Sequence, residues 1–199
     1  MMKKTSIFIV LYFSLSSIVN AQNLFHSAGS TVSVMYATLA RGSTLKQDRF
    51  AITHAHLNYF PRYNLPISFN TSLSIGAPIG IGAAFIDNDF MAIHKTFLSY
   101  ELPFAIDYNM GFKSVIDPGD DIIGFYIGAG YSITNTVGLD SIADTKFIPN
   151  SSGILARVGA RLPFSYSTTH KGMTIGMYYK LGGGVEKFRT FGINVFVDF

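Results

Sequence analysis

From about residue 30 to the end of the chain, apolar and polar residues alternate one by one, and this period of two most limits the fold. Successive side chains of a β-strand point to opposite faces, so each such segment has one greasy side and one polar or small side. The clearest run sets Ile67, Phe69, Thr71, Leu73 and Ile75 against Ser68, Asn70, Ser72, Ser74 and Gly76. The last is as regular: Phe191, Ile193, Val195, Val197 and Phe199 stand against Thr190, Gly192, Asn194 and Asp198, with Phe196 out of step. No helical-period segment of useful length competes, although 83–91 lacks alternation and admits a short helix.

Composition says what the alternation is for. Charged residues are 14% and hydrophobic residues 48%, where an average soluble domain is about 25% charged. That balance excludes a disordered tail and a coiled coil, and argues against an ordinary cytosolic enzyme. With no Cys there is no disulfide scaffold, thiolate metal site or lipoprotein anchor. Lys3 and Lys4, the apolar stretch 7–19 and the small-residue site Val19-Asn20-Ala21 read as a secretory signal peptide over 1–21, leaving one domain over 22–199. Once Lys3 and Lys4 leave, the 15 Lys and Arg fall to 13 against 12 acidic residues. A net charge of +1 gives no reason to expect nucleic acid. No later run reaches about 18 apolar residues, so no membrane helix is expected. Alternation with one face of each strand in lipid is the remaining way to be this apolar.

The pattern predicts an all-β fold, an eight-stranded antiparallel up-and-down transmembrane β-barrel. Its strands are expected at 30–39, 50–60, 66–76, 97–110, 122–134, 154–166, 172–181 and 188–199. Tight connections at 61–65, 111–121 and 167–171 would face one side. The connections 40–49, 77–96, 135–153 and 182–187 would face the other, 77–96 and 135–153 being the long ones. Pro103 is awkward inside its strand and predicts either a bulge or a shorter strand. Outward faces read Leu102, Phe104, Ile106 and Tyr108; Phe125, Ile127 and Tyr131; Ile175, Met177 and Tyr179. Inward faces are small or polar, such as Gly124, Tyr126, Gly128, Gly130 and Ser132. Arg157, Arg161 and Lys180 share inward parity with Glu101, Asp107 and Asp198, so an ion-pair network is expected to fill the lumen, with a gated ion path as its functional alternative. Tyr36, Tyr59, Tyr100, Tyr108, Tyr131 and Tyr166 are candidates for aromatic girdles.

Candidate chemistry is sparse. His54 and His56 share one strand face and could reach one ion, with only Glu101 or Asp107 as conceivable further ligands; polar lumen filling is the preferred reading, and no metal or cofactor is expected. None of the five His lies in a recognisable His-x-Ser arrangement; His94 near Asp87 or Asp89 reads as a surface residue, so no catalytic residues are assigned. The Gly-rich stretches at 76–82 and 182–184 lack the strand–loop–helix context of a phosphate cradle.

The chain resembles the small outer-membrane β-barrel families of Gram-negative bacteria, of OmpA/OmpX type, over roughly residues 28–199. The most specific element is the C-terminal run of Phe191, Ile193, Val195, Val197 and Phe199. The resemblance implies that these residues form the face read by the barrel-assembly machinery, and that the protein resides in the outer membrane among its lipids after cleavage near Ala21. Both termini would then be periplasmic. The expected role is non-enzymatic, structural or surface-interacting, with the loops 77–96 and 135–153 offered to an extracellular partner. The alternatives are a narrow pore, a lipid-modifying hydrolase and a soluble lipocalin-like binder. The last would carry a polar outside and an apolar inside.

Overall fold

The computed structural model describes residues 23–40, 47–88, 93–115, 123–137, 151–164, 171–182 and 187–199. The expected signal peptide and its cleavage site lie outside these residues. Nine strands follow one another: β1 (Leu24–Ala40), β2 (Gln47–Ser68), β3 (Thr71–Gly76), β4 (Ile79–Asn88), β5 (Ile93–Gly111), β6 (Gly124–Val137), β7 (Ser151–Pro163), β8 (Gly172–Gly182) and β9 (Lys187–Asp198). All neighbours are antiparallel. β9 pairs back onto β1 from Ser27↔Asp198 to Thr38↔Lys187, so the sheet closes on itself without a free edge.

β3 and β4 are two halves of one stave. Both pair with β2 on one side and β5 on the other, and the register does not slip between them: Arg62 faces Gly76 before the break and Tyr59 faces Ile79 after it. The wall therefore has eight staves, as the alternation predicts.

The break has a chemical cause. Ala77 donates its amide to Pro61 O (3.3 Å), but Pro61 has no amide to return. One residue on, the register between Gly76↔Ala105 and Gly80↔Glu101 sets Pro78 opposite Pro103, a pair with no donor on either side. Three prolines from three staves thus meet at one level of the wall.

This row corrects three expectations. Pro103 causes neither a bulge nor an early stop, because its donorless side faces another proline, and β5 runs unbroken past it opposite β6. The turn expected at 61–65 is strand: β2 continues to Ser68 and the chain reverses at Phe69-Asn70. The long loop expected at 77–96 is mostly strand, without a helix, since β4 occupies Ile79–Asn88 and β5 begins at Ile93. Its alternation was hidden because the inward positions are Gly80, Gly82, Ala84 and Ile86, which no polarity pattern separates from Ile79, Ile81 and Phe85. β1 also starts six residues earlier than expected, at Leu24. The loop 135–153 shrinks at both ends, and 138–150 lies outside the described residues.

The faces fall as the period of two requires. Val32, Leu57, Phe104, Phe125, Ile127, Ile154, Met177, Ile193 and Val197 are exposed on the outside. Ser, Asn, His, Arg and Asp side chains are buried within. That is the inverse of a lipocalin-like calyx, and overturns the soluble alternative: an outer surface this apolar is stable against acyl chains, not water. Ile127, in β6, is 62% exposed on this belt. Replacing it with Lys is expected to cost about 2–4 kcal/mol, and Ile127→Leu close to nothing, in urea unfolding of the protein folded into lipid vesicles.

Candidate functional site

Parity sends every second side chain of the eight staves into a narrow lumen, and charge fills it. At the end that holds both termini, Arg62 Nη2 lies 3.4 Å from Asp198 Oδ1. Ser27 and Thr174 hydroxyls donate to the two oxygens of the same carboxylate at 2.5 and 2.6 Å. At mid-height Arg157 Nε pairs with Asp107 Oδ1 at 3.3 Å. Towards the opposite end Lys180 Nζ approaches Glu101 Oε1 at 3.9 Å and donates to Thr134 at 2.5 Å. Ser132 and Tyr178 donate to Glu101 at 2.8 and 3.2 Å.

Aromatic rings separate the cations. Lys113 and Arg62 both lie 5.5 Å from the Phe25 ring, Arg62 and Arg157 lie at 5.6 and 4.8 Å from Phe60, and Arg157 and Arg161 each lie 4.9 Å from Tyr126. The lumen thus contains one chain of contacts that runs from Lys113 through Phe25, Arg62 and Phe60 to Arg157 and returns through Tyr126 to Arg161, on the terminal side of Arg157. Each ring face offsets part of the cost of enclosing a cation. Tyr126 fits only because Gly159 and Gly176 face it: a Cβ at Gly176 would overlap the Tyr126 hydroxyl.

Both mouths are closed in the described residues. Phe112, Lys113, Ser114 and Val115 are buried across the terminal mouth. There Asn64 Nδ2 donates to the Lys113 and Ser114 carbonyls (3.1 and 2.8 Å), and Ser114 Oγ donates to Asn70 O (2.7 Å). Lys113 takes the left-handed conformation, φ 63°, to make this turn. Burial lowers its ammonium to about 8, with Asp198 opposing the shift and Arg62 and Arg161 adding to it. At the other end Met35, Ile52, Ile86 and Phe188 form a buried apolar layer. A void between Pro78, Pro103, Glu101, Arg157, Tyr178 and Asn194 has room for a water or two.

The structure brings Arg157, Arg161, Lys180, Glu101, Asp107, Asp198, His54 and His56 into this one lumen. It also assembles a group that sequence spacing did not reveal. Ser99 Oγ is 3.0 Å from His56 Nε2 and 3.0 Å from His54 Nδ1, and His56 Nδ1 is 3.8 Å from Glu101 Oε2. Serine, imidazole and carboxylate in that order are the parts of a nucleophilic triad. Here the serine is 0% exposed, also donates to the Asn135 carbonyl, and lies beneath the apolar layer. The two His rings, 5.6 Å apart, converge on Ser99, and among the described residues no three His, Asp or Glu side chains are placed to hold a metal. Asp107, once a conceivable ligand, is committed to Arg157. His94 stands directly opposite Asp87 across β4 and β5.

Arg62 was missed because it fell in the expected 61–65 turn. Parity carried on from His54, His56, Asn58 and Phe60 finds it. Lys113 was missed because nothing local marks a turn that folds inward. Phe191, Ile193, Val195, Val197 and Phe199 all face outward, and the Phe199 and Tyr59 rings both stack on His26, at 6.3 and 5.9 Å. Tyr36, Tyr59, Tyr108 and Tyr131 are exposed on the outside, Tyr100 is half-buried, and Tyr166 lies outside the described residues.

No family model matches the chain, and no curated protein matches it in sequence. Among solved structures, it is similar to Neisserial surface protein A (13% identity, 87% of this chain and 95% of that one, TM-score 0.48). It is also similar to the outer membrane protein OprG of Pseudomonas aeruginosa (11%, 88% and 93%, 0.45) and the attachment invasion locus protein Ail of Yersinia pestis (9%, 88% and 97%, 0.41).

Glu101 supplies the counter-charge of its level. Glu101→Ala is expected to destabilise the barrel by about 3–5 kcal/mol, because Lys180 is left buried and unpaired. Adding Lys180→Met should restore much of that loss in a double-mutant cycle of urea unfolding, and an additive result would disprove the pairing.

Proposed function

We propose that this chain is an outer-membrane barrel with a structural or surface-interaction role, and that its lumen is a strut and not a conduit. The observation that carries the reading is the continuous column of cations and rings, sealed by 112–115 at one mouth and by the Met35, Ile52, Ile86 and Phe188 layer at the other. An ion crossing it has to displace Arg157 from Asp107 and Lys180 from Glu101 in turn. The exposed apolar belt implies a lipid partner. In the outer-membrane reading the terminal end is periplasmic, and the outward row Phe191, Ile193, Val195, Val197 and Phe199 is offered to the assembly machinery before the β1–β9 seam closes. The outward mouth then presents the β1–β2 and β4–β5 hairpins and the 138–150 segment to a partner.

Two measurements separate this reading from its rivals. In planar bilayers the protein is expected to give no unitary channel events; steady events altered by Arg157→Ala would establish the narrow pore instead. On overexpression, lipid A mass spectra should be unchanged between the wild type and Ser99→Ala. A mass loss that depends on Ser99 would establish the hydrolase.

A further inference from the structure

The enclosed charges do not balance. Among the described residues, Arg62, Lys113, Arg157, Arg161 and Lys180 are buried against three carboxylates, Glu101, Asp107 and Asp198. Lys180 with Glu101, and Arg157 with Asp107, pair one to one. The surplus therefore falls at the terminal mouth, where Arg62, Lys113 and Arg161 share Asp198. That carboxylate is already engaged by Ser27, Thr174 and Arg62.

Arg161 is the clearest excess. It is 0% exposed and has no carboxylate within ion-pair distance among the described residues. Its Nη2 donates to Asn109 Oδ1 at 2.7 Å and its plane covers Tyr126, while Nε and Nη1 reach no acceptor among the described residues. Arg62 Nε is in the same condition. A ring face softens the burial of a guanidinium but carries no counter-charge. Unpaired charge in a low-dielectric interior is strongly unfavourable, and arginine does not escape by losing its proton.

We propose that the terminal mouth is a binding site for a small inorganic anion, chloride or phosphate, held by Arg161, Arg62 and Lys113. The guanidinium N–H groups of Arg161 and Arg62 supply directed donors and Lys113 supplies a point charge from the inward-folded turn. The closed mouth limits the occupant to an ion and excludes a headgroup with its chains attached. The anion is a structural counter-ion that links the 112–115 segment to β2 and β7.

The full chain is folded into detergent micelles at pH 7 and its unfolding midpoint read at fixed ionic strength in sodium chloride, sodium phosphate or sodium gluconate. Chloride or phosphate is expected to raise the midpoint saturably by about 3 °C over gluconate, and the more effective of the two names the ion. Arg161→Gln and Lys113→Gln should each abolish the difference, while Arg189→Gln, on the exposed outside, should keep it. Lys113→Gln serves if Arg161→Gln does not fold. Equal midpoints in the three salts overturn the proposal, as does a difference that survives both substitutions. Asp117, Asp120 and Asp121 lie just beyond Lys113, outside the described residues. A salt difference that appears only after all three are changed to Asn would show that the chain supplies its own counter-charge, and would also overturn it.

Discussion

Everything inside this barrel follows from one constraint: charge turned away from lipid must be neutralised in a space too narrow for bulk water. Eight staves leave room only for side chains. Each inward Arg, Lys, Asp or Glu therefore needs a partner close to its own level. The pairs of Arg157 with Asp107 and Lys180 with Glu101, and the shared carboxylate of Asp198, are that requirement met three times along one axis. The rings of Phe25, Phe60 and Tyr126 do the rest, keeping like charges apart while presenting each with an electron-rich face. Breaking one level exposes a buried charge and not an idle contact.

The barrel itself was legible because its two faces obey different solvents. Lipid demands Phe, Ile and Val on one parity and tolerates almost nothing else, so β8 and β9 could be read nearly to the residue. The charged members of the lumen were legible for the same reason, since Glu101, Asp107, Arg157 and Arg161 sit between outward apolar neighbours. β4 escaped because its inward side is filled from across the barrel. A Cβ on Gly80 would collide with Asn58, so the polar group belonging to that position is supplied by β2. Prolines at 61 and 78 then looked like turn signals, because the rule against proline in a ladder assumes a partner that misses the amide. The Ser99–His56–Glu101 group and the inward turn at 112–115 depend on residues brought together across the ring. No local pattern carries that information.

The serine group shows how a familiar set of parts can serve packing. Ser99 accepts or donates to two imidazoles and a carbonyl, and the imidazoles fill width that Ser and Thr cannot. With Met35 and Ile52 above it, the cluster acts as the polar underside of a hydrophobic lid.

The row formed by Pro61, Pro78 and Pro103 gives the wall a mechanical grain. On either side of it the β2–β3 and β4–β5 pairings continue, and along it three amides that would cross between staves do not exist. A tensile load on the cylinder would concentrate along that line, and breathing of the wall would begin there while the charged axis behind it held.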